Sequence, residues 1–582
     1  MPRLRLALAQ TNPIVGDRAQ NVERLLELAQ QAYDQGAQVF LSGELSITGY
    51  PIEDLALRNN FLEISRNAVR EMAAALESRG MGDMAVIVGH PDGPITPEDA
   101  ATVLHQPARA QNCASVLAHG DIVATYAKHH LPNYAVFDEA RTFLPGNQGV
   151  IIRAGGVDLG LVICEDLWRA DGPVESLTGY PLGALLVPNA SPFERDKDEV
   201  REPLVVTRAK AMKTHIAYVN LVGGQDDLVF DGDSMIVDPQ GQRIAWGLRF
   251  SEDLLIQDLE LPASVQDAPL PESTVLCETD LREPGEHPLA PRQQPQDDDH
   301  AILWQALVTG TRDYAEKNRF PSVMLGLSGG IDSAVCATLA VDALGPERVF
   351  GVSLPSVHSS DHSLDDARLL AEAQGIPYRL EPIGDVVSVL DSQLDLTGLA
   401  AENVQSRARA IILMALSNKE GHLILTTGNK SELAVGYSTI YGDSVGGYAP
   451  LKDVPKTLVW ELARWRNQRA VESGETPPIP IGSIEKPPSA ELRPDQTDQD
   501  SLPDYAVLDQ VLDLLIVRGF DTPQIVAEGF ERELVEDIVG LVSRAEWKRR
   551  QGAIGPRISS VAFGRDRRLP ITSRPTPFPP AR

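Results

Sequence analysis

The sequence predicts two domains of different fold class, an α+β sandwich of sheets faced by helices and then a doubly wound parallel α/β domain. Its 582 residues are too many for one ordinary domain. Up to residue 261 short strands mix with amphipathic helices, whereas from residue 300 strands and helices alternate one by one. The segment 262–299 carries seven prolines and little apolar sequence. We therefore predict domains 1–261 and 300–582, joined by a linker.

The elements of the first domain follow from short apolar runs and turn sequences. An amphipathic pattern predicts a helix over 20–35. The predicted strands are 4–9, 38–41, 84–89, 115–117, 122–126, 159–164, 184–187 and 216–221. Glycine-containing turns at 119–121 and 239–241 predict hairpins.

In the second domain, the alternation of helix and strand predicts a parallel sheet. The predicted helices are 301–317, 334–344, 364–374 and 403–419, and the predicted strands are 323–327, 349–354, 378–382 and 423–426. A stretch rich in Pro, Asp and Gln, 477–503, predicts a mobile loop. The proline-rich tail, 570–582, predicts an extended surface strap or a frayed end.

The composition argues against several classes of protein. With 52 Lys and Arg against 82 Asp and Glu, the net charge of −30 disfavours nonspecific binding to nucleic acid or to an anionic membrane. No stretch reaches the ~18 apolar residues of a membrane span, and the first ten residues lack a signal-peptide core, so we expect a cytoplasmic protein. The cysteines show no CxxC spacing, which argues against a disulfide framework or zinc, and we expect no haem. They are Cys113, Cys164, Cys277 and Cys336.

Three predicted strand ends carry reactive side chains, Glu44, Lys128 and Cys164. Attack of a thiol on an amide needs a base for the thiol proton, a donor for the developing oxyanion and a proton for departing ammonia. These three residues supply such groups. Taken singly, each is more often structural, because buried cysteines are usually small apolar groups and isolated charges usually face solvent.

The sequence around these residues resembles the carbon-nitrogen hydrolase (nitrilase) superfamily over residues 4–260. The matching strings are GELSITGYP, KHHLPNYAVFDEARTF and VICEDLW. The resemblance implies a nitrilase-like α-β-β-α sandwich, with Glu44 as general base, Lys128 as the cation that stabilises the intermediate and Cys164 as nucleophile. Glu139 is either the auxiliary glutamate of such centres or the ion-pair partner of Arg141.

Three further residues resemble the glutamine-holding residues of glutaminase domains fused to synthetases. They are Tyr134, Ser191 and Lys197. Tyr134 is placed to line the pocket, and Ser191 to bind the α-amino or carboxylate group of glutamine. Alternatively, these are turn and surface residues around Pro192.

In the second domain, the string GLSGGIDS separates a predicted strand from a predicted helix. Small residues let backbone N–H groups converge on an anion at a helix start. The string lacks the Lys-Ser/Thr ending of a Walker A loop, and it resembles the pyrophosphate-binding loop of ATP pyrophosphatases. That resemblance implies ATP contacts at Gly326, Leu327, Ser328, Gly329, Gly330, Ile331, Asp332, Ser333 and Thr427.

Polar groups near this loop predict a metal and a second nucleotide. Carboxylates at strand ends beside a triphosphate suit Mg²⁺, and Asp332 and Glu432 are the candidate ligands. Asn403, Arg407 and Arg409 lie at a predicted helix start, where they are placed to meet an anionic dinucleotide. The two arginines are alternatively solvated surface charges.

Residues 300–570 closely resemble NAD synthetases, and the two halves together resemble the glutamine-dependent members of that family. The matching strings are LGLSGGIDSA, ENVQSRAR, TTGNKSELAVGYSTIYGDSVGGYAPLKDVPKT and WKRRQGAIGPRI. The resemblance implies glutamine, ATP and deamido-NAD as substrates, Mg²⁺ as cofactor, deamido-NAD contacts at Asn403, Glu432 and Lys548, an ammonia channel, and a homo-oligomer of at least two subunits. His358 departs from the family, which usually carries an aromatic residue there.

Two other functions compete with this one. The SGGxDS loop also occurs in adenylating enzymes of the GMP synthetase and tRNA-modifying types, but the strings TTGNKSE and GYSTIYGD argue against them. A regulatory protein with one inactive half would not need the complete set of Glu44, Lys128 and Cys164.

Overall fold

The computed structural model describes residues 1–95, 109–195, 197–286, 289, 292, 298–494 and 496–573. The chain forms two compact units. The first comprises Met1–Gln225 and Phe230–Asp297, and the second comprises Asp226–Val229 and Asp298–Arg582. The last part of the predicted tail, 574–582, lies outside the described residues, as do linker residues 287, 288, 290, 291 and 293–297.

The first unit is built on two large sheets and their covering helices; strand β11 (Leu228–Asp231) is named with them, although its first two residues belong to the second unit. Its elements in chain order are β1 (Arg3–Gln10), α1 (Arg18–Asp34), β2 (Val39–Ser42), α2 (Asn59–Ser78), β3 (Ala85–Ile95), β4 (Arg109–Ala118), β5 (Asp121–Ala127), β6 (Gly149–Ala154), β7 (Val157–Leu161), α3 (Glu165–Trp168), α4 (Pro173–Leu177), β8 (Ala184–Asn189), α5 (Asp198–Met212), β9 (His215–Asn220), β10 (Val222–Gln225), β11 (Leu228–Asp231), β12 (Met235–Val237), β13 (Arg243–Trp246), β14 (Asp253–Glu260) and β15 (Thr274–Thr279). One sheet has the order β14-β1-β2-β3-β4-β5 and the other β13-β12-β9-β8-β7-β6-β15.

Strand β1 shows how alternation builds the layers. Leu4, Leu6 and Leu8 join the core cluster that also contains residues of the second sheet. Ala7 and Ala9 instead join the cluster that holds the buried faces of α1 and α2. Successive side chains of a strand point to opposite faces, so one strand serves both layers. Because α5 packs on β9 and β12 of the second sheet, the predicted α-β-β-α sandwich is confirmed.

Two features of this unit differ from the sequence prediction. Strand β7 ends at Leu161, so Cys164 lies beyond the strand, although its N–H still donates to Pro188 O of the next strand at 3.0 Å. Within the predicted linker, β15 pairs in parallel with β6 at the edge of the sheet. An edge strand needs only one apolar face, which here is centred on buried Cys277. This apolar pattern is short and lies among prolines, so the sequence does not predict a strand there.

The second unit is an α/β domain with one parallel sheet. Its elements in chain order are α6 (Asp299–Lys317), β16 (Val323–Gly326), α7 (Ile331–Leu344), β17 (Val349–Ser353), α8 (Asp361–Gln374), β18 (Tyr378–Leu380), α9 (Gly384–Leu394), α10 (Leu399–Glu420), β19 (Leu423–Ile424), α11 (Lys430–Val435), α12 (Lys456–Glu472), α13 (Ile481–Glu485), α14 (Tyr505–Leu512), α15 (Thr522–Ala527), α16 (Arg532–Arg544) and α17 (Glu546–Arg549). The four predicted strands are confirmed. All pair in parallel, in the order β18-β17-β16-β19.

This strand order places a topological switch point between β16 and β19. Chain order runs outward from β16 through β17 to β18, and β19 then returns to the other side of β16. In open α/β sheets, ligands bind beyond the carboxyl ends of the strands at such a point. The GLSGGIDS loop follows β16 and the TTGNKSE segment follows β19, so the fold brings the two strings to the same edge.

Two predictions for this unit were wrong in detail. Helix α10 begins at Leu399, after Gly398 with φ 55°, so Asn403 lies in the body of the helix and not at its start. The segment 477–503, predicted as a mobile loop, contains α13 and a short 3₁₀ turn at Asp498–Asp500. Gln405 Nε2 also donates to Leu492 O in this segment at 3.0 Å. Among the described residues, none of the helices combines the length and the hydropathy of a membrane-spanning segment.

Candidate active sites

A buried lysine held by two carboxylates forms the centre of the first site. Lys128 follows β5, and its Nζ lies 2.7 Å from Glu44 Oε1 and 2.9 Å from Glu139 Oε2. The Lys128 and Glu44 side chains are each about 1% exposed. Burial alone would lower the pKa of Lys128, but the carboxylates of Glu139 and Glu44 raise it well above its ordinary value. The two carboxylates therefore favour the ammonium form of Lys128.

Neighbouring donors hold the Glu44 carboxylate in place. Asn112 Nδ2 donates to Glu44 Oε1 at 2.7 Å, and the N–H of Ala190 donates to Oε2 at 2.9 Å. Glu44 sits in the turn after β2, where Leu45 has φ 50°. Gly89 of β3 lies so close that a Cβ there would be 2.4 Å from Gly43 O. The backbone of β3 therefore supports the loop that carries Glu44.

The two alternatives for Glu139 are distinguished by geometry. Its carboxylate accepts hydrogen bonds from Lys128 Nζ and from the Tyr50 hydroxyl, both at 2.9 Å. Arg141 pairs instead with Asp138 at 2.9 Å and with other surface carboxylates. Burial raises the pKa of Glu139 to about 7, although Lys128 opposes the rise. Glu139 therefore belongs to the lysine centre.

Cys164 lies in a sharp turn between β7 and α3. It is buried and has φ 44° and ψ −100°, a backbone conformation that non-glycine residues rarely adopt. Burial raises the pKa of its thiol well above the ordinary value; Glu44 adds to the rise and Lys128 opposes it. These charges act on the sulfur because Glu44, Lys128 and Cys164 come together in the fold, as the sequence predicts. The raised pKa favours the neutral thiol, so that nucleophilic attack by the sulfur calls for a base.

The three predicted glutamine-binding residues have different surroundings. The Tyr134 hydroxyl donates to Glu165 Oε2 at 2.8 Å, and its ring is half exposed. Ser191 is buried, and its N–H donates to Asn220 Oδ1 at 2.8 Å. Lys197 Nζ donates to Pro192 O at 2.7 Å. Sequence reasoning missed Glu165, a partly buried acid that directly follows the nucleophile.

The GLSGGIDS loop has the form of an anion cradle. The Gly330 N–H and the Ser333 hydroxyl lie 3.2 Å from the Ser328 hydroxyl, which closes the turn. Gly329 has φ 77°, and a Cβ there would lie 2.3 Å from Ser363 O, so only glycine fits. Helix α7 begins at Ile331, and Gly330 offers no side-chain cap to its first N–H groups. Uncapped N–H groups at a helix start favour the binding of a phosphate.

Two carboxylates converge on one buried lysine beside this loop. Asp332 lies in the first turn of α7, and Lys456 Nζ contacts both Asp332 Oδ2 and, at 3.2 Å, Glu432 Oε1. Asn429 caps α11 together with Glu432 and donates to Asp332 Oδ1 at 2.9 Å. Burial raises the pKa of Glu432 to about 8, although Lys456 opposes the rise. Thr427 lies half buried two residues before Asn429.

The sequence analysis missed Lys456 and Asn429. The order Asn429, then Glu432, then apolar residues is a capping-box pattern that local reasoning can detect. Lys456 gives no comparable local signal, because its partner Asp332 is 124 positions away in the chain.

The donor set fits a hard divalent cation. Asp332 and Glu432 direct carboxylate oxygens to one point, now taken by the Lys456 ammonium. Mg²⁺ in nucleotide sites is usually bound by one or two carboxylates together with phosphate oxygens. Across the described parts of the chain, there is no group of three or more His, Cys, Asp or Glu side chains able to hold a metal. Asp332 and Glu432 supply the two carboxylates of such a phosphate-linked site.

The other predicted nucleotide-binding residues surround the segment after α11. Asn403 Oδ1 accepts from the Thr439 hydroxyl at 2.8 Å, and Lys548 Nζ donates to Gly436 O and Ser438 O at 2.8 and 2.6 Å. Glu432 lies on α11 itself, which leads into this segment. All three predicted deamido-NAD contacts thus border one segment.

The arginines and the unusual histidine occupy more peripheral positions. Arg407 is exposed, with Nε donating to Ile440 O at 3.1 Å, whereas Arg409 is partly buried and donates to Leu354 O at 3.0 Å. Burial lowers the pKa of Arg409. His358 is partly exposed in the turn after β17, and its N–H donates to the Ser356 hydroxyl at 3.1 Å.

Two family models match the chain. The model described as carbon-nitrogen hydrolase matches residues 5–268, and the model described as NAD synthase matches residues 303–552. The chain is 41% identical to the glutamine-dependent NAD(+) synthetase of Thermotoga maritima, over 99% of each chain. It is also 41% identical to that of Acinetobacter baylyi, over 98% of this chain and 99% of the relative.

Solved structures agree with these matches. The glutamine-dependent NAD+ synthetase from Acinetobacter baumannii, in complex with adenosine diphosphate, is 39% identical over 98% of both chains, with a TM-score of 0.71. The structure of a glutamine-dependent NAD(+) synthetase from Cytophaga hutchinsonii has a TM-score of 0.77 at 22% identity, over 98% of both chains, and shows the same fold.

We expect Gly89→Ala to destabilise the first unit by about 1–3 kcal/mol, because the added methyl group overlaps the backbone that carries Glu44. Urea unfolding monitored on the first unit measures this change. Gly384→Ala is the control, since a Cβ there meets no atom within 4 Å. Equal unfolding midpoints for wild type and Gly89→Ala would contradict the close packing of β3 on this loop.

A pH-dependent stability difference should follow from Glu139. Folding raises its pKa from 4.5 to about 7, so between these values the folded chain keeps a proton that the unfolded chain releases. The wild type therefore loses stability relative to Glu139→Gln as pH rises from about 4.5 to 7, by at most about 3 kcal/mol. Melting temperatures across this range test the sign.

The matched control is Asp138→Asn, which removes the neighbouring surface carboxylate that pairs with Arg141. Its melting curve should run parallel to that of the wild type between pH 4.5 and 7. If the Glu139→Gln curve also runs parallel, Glu139 does not hold a proton in the folded state.

Proposed function

The chain belongs to the glutamine-dependent NAD(+) synthetases, and we propose that it converts ATP, deamido-NAD, L-glutamine and water into AMP, diphosphate, NAD+ and L-glutamate. The observation that carries this proposal is the presence of two complete centres in one chain. Glu44, Lys128 and Cys164 are neighbours in the first unit, and the GLSGGIDS loop with two carboxylates lies at the switch point of the second. The first centre supplies nitrogen and the second activates a carboxylate.

Glutamine hydrolysis follows from the charges around Cys164. As the sulfur attacks the side-chain amide carbon, Glu44 accepts the thiol proton that the raised pKa otherwise retains. The Lys128 ammonium stabilises the tetrahedral oxyanion. The proton then leaves with ammonia, and a water molecule hydrolyses the thioester to release glutamate.

Glutamine recognition is proposed for Tyr134, Ser191 and Lys197. The half-exposed Tyr134 ring lines the entrance, and its partner Glu165 offers a carboxylate to the α-ammonium group. Ser191 offers a hydroxyl, and Lys197 offers a positive charge to the α-carboxylate.

Adenylation in the second unit makes the nicotinate carboxylate reactive. A carboxylate oxygen is a poor leaving group, so the carboxylate of deamido-NAD attacks the α-phosphate of ATP and pyrophosphate departs. Ammonia then attacks the acyl carbon and displaces AMP. The loop Gly326–Ser333 with Thr427 holds ATP, and Asn403, Glu432 and Lys548 hold deamido-NAD.

Charge neutralisation is the main contribution of the protein to this step. Lys456, buried beside the cradle, offers an ammonium to the phosphates. Asp332 and Glu432 would hold Mg²⁺, which when bound neutralises charge on the departing pyrophosphate. Ammonia is mostly protonated in neutral water, so a water-poor channel between its release and its use stays part of the proposal. The cytoplasmic location and the homo-oligomer stay predictions from the sequence.

Cys164→Ala should lower glutamine-supported NAD+ formation by at least about 10⁴-fold, because the nucleophile is lost. Ammonium-supported formation should stay within about threefold of the wild type, since it bypasses the thioester. Cys113→Ala is the matched control, as Cys113 is equally buried in the same unit on β4. Equal losses with both nitrogen sources would contradict this division of labour.

Asp332→Asn should lower NAD+ formation by about 100-fold or more with either nitrogen source, because it removes one of the two carboxylates at the cradle. Asp361→Asn is the control, since Asp361 occupies the first turn of the next strand-following helix but is exposed. NAD+ production is measured with saturating glutamine and then with saturating ammonium. A variant that keeps full activity would exclude Asp332 from the adenylation site.

A further inference from the structure

One buried carboxylate ties together the two chain segments of the hydrolytic centre. Asp166 lies in the first turn of α3 and is fully buried. Its Oδ1 accepts from the N–H of His130 at 2.8 Å and of His129 at 3.2 Å. Its Oδ2 accepts from the Tyr126 hydroxyl at 2.7 Å and from the N–H of Ile163 at 3.2 Å.

These donors lie on both sides of Lys128 and directly before Cys164. Asp166 thereby fixes the main chain that carries the ammonium relative to the main chain that carries the sulfur. Glu44 and Glu139 do not duplicate this role, because they contact the Lys128 ammonium at the far end of its side chain.

Asp166 also stabilises the backbone turn at Cys164. A residue with φ 44° and ψ −100° keeps that conformation only where surrounding contacts enforce it. The N–H of Asp166 donates to Ile163 O at 3.0 Å, while its carboxylate accepts from the N–H of Ile163. This reciprocal pair closes the turn around the nucleophile.

We propose that Asp166 is a positioning residue for amide hydrolysis, which sets the place of the Lys128 ammonium relative to the Cys164 sulfur. The inference rests on the proposed function only for its glutamine-dependent readout. Its four hydrogen-bond donors are three backbone N–H groups and the Tyr126 hydroxyl, and none of them is a side chain of Glu44, Lys128 or Cys164, so Asp166 acts on the triad through the chain segments that carry it.

The chemistry of its partners requires a carboxylate. All four groups that face Asp166 are donors, and an ionised carboxylate only accepts. In Asp166→Asn, the amide oxygen can serve His129 and His130, and the Tyr126 hydroxyl can rotate to accept from the amide. The N–H of Ile163 would then face an N–H group, next to the nucleophile. The variant thus disturbs the turn while it keeps the size of the side chain.

Asp158→Asn is the matched control. Asp158 is equally buried in the same unit, on β7, and it also accepts from a tyrosine, the Tyr180 hydroxyl at 2.9 Å. Its other partner is Arg153 at 2.8 Å. Any general effect of neutralising a buried aspartate should therefore appear in both variants.

The first measurement is steady-state glutamine hydrolysis in the full chain. We expect Asp166→Asn to lower kcat by about 100-fold or more with KM changed by less than about threefold, because a displacement of about 1 Å in the reacting groups has effects of this size. Asp158→Asn should keep kcat within about threefold, and both variants should keep ammonium-supported NAD+ formation. Equal kcat in Asp166→Asn and wild type, or equal losses in the two variants, would overturn the proposal.

The second measurement needs no substrate. The pH dependence of Cys164 alkylation by iodoacetamide reports the groups facing the sulfur, which are Lys128, the carboxylates Glu44, Glu139 and Glu165, and the tyrosines Tyr50, Tyr134 and Tyr218. A displaced Lys128 ammonium stabilises the thiolate less, whereas loss of the Asp166 charge alone would shift the profile downward. An upward shift of about one pH unit or more in Asp166→Asn therefore reports displacement of Lys128, and Asp158→Asn should not show it. Coincident profiles for Asp166→Asn and wild type would overturn the positioning role.

Tyr126→Phe provides a test if Asp166→Asn does not fold. It removes one donor to Asp166 and keeps the ring that stacks on His129. The alkylation profile should shift upward by a smaller amount, and an unchanged profile would overturn the proposal. If the wild type does not hydrolyse glutamine but its profiles behave as expected, the proposed function fails and the positioning role stands. If the wild type hydrolyses glutamine but the variants leave the alkylation profile unchanged, only the positioning role is rejected.

Discussion

The first unit depends on keeping one ammonium buried. Lys128 is about 1% exposed, and removing such an ion from water costs several kcal/mol unless partners compensate. Glu44 and Glu139 provide that compensation, and both are fixed by further donors such as Asn112 and Tyr50. The same arrangement prepares the chemistry, because a preorganised cation needs no reorientation when an oxyanion forms. Stability and reactivity therefore rest on one set of contacts.

The second unit uses a similar arrangement for another purpose. Lys456 is also about 1% exposed and lies between the carboxylates of Asp332 and Glu432. Here the charges adjoin a loop whose backbone favours phosphates, so an arriving nucleotide can rearrange the ion pairs. In the first unit, by contrast, both carboxylates accept from neutral donors as well as from Lys128, and these contacts are formed without substrate. In the proposed reaction, the first centre stabilises an intermediate and the second neutralises a leaving group.

Most of the fold could be predicted from local patterns, such as strand alternation and glycine turns, which are signals within a few residues. The GLSGGIDS string is also local, whereas the role expected for Cys164 came from the resemblance of its surrounding string to a known family. Contacts between distant segments gave no such signal: the pairing of Lys456 with Asp332 and the bonds from Asp166 to His130 depend on the folded backbone. The start of α10 was misplaced because Glu402 and Asn403 resemble the polar residues of a helix start, whereas the helix begins at Leu399. Strand β15 was missed because its apolar face is short.

The central claim is that nitrogen released from glutamine in the first unit becomes the carboxamide nitrogen of NAD+ made in the second. The direct measurement is mass spectrometry of NAD+ formed from amide-¹⁵N glutamine, MgATP and deamido-NAD, with glutamate and AMP quantified in the same reaction. The account predicts ¹⁵N in the carboxamide of NAD+, with at least one glutamate and one AMP for each NAD+. Failure to form NAD+, or NAD+ without ¹⁵N when glutamine is the only nitrogen source supplied, would contradict it.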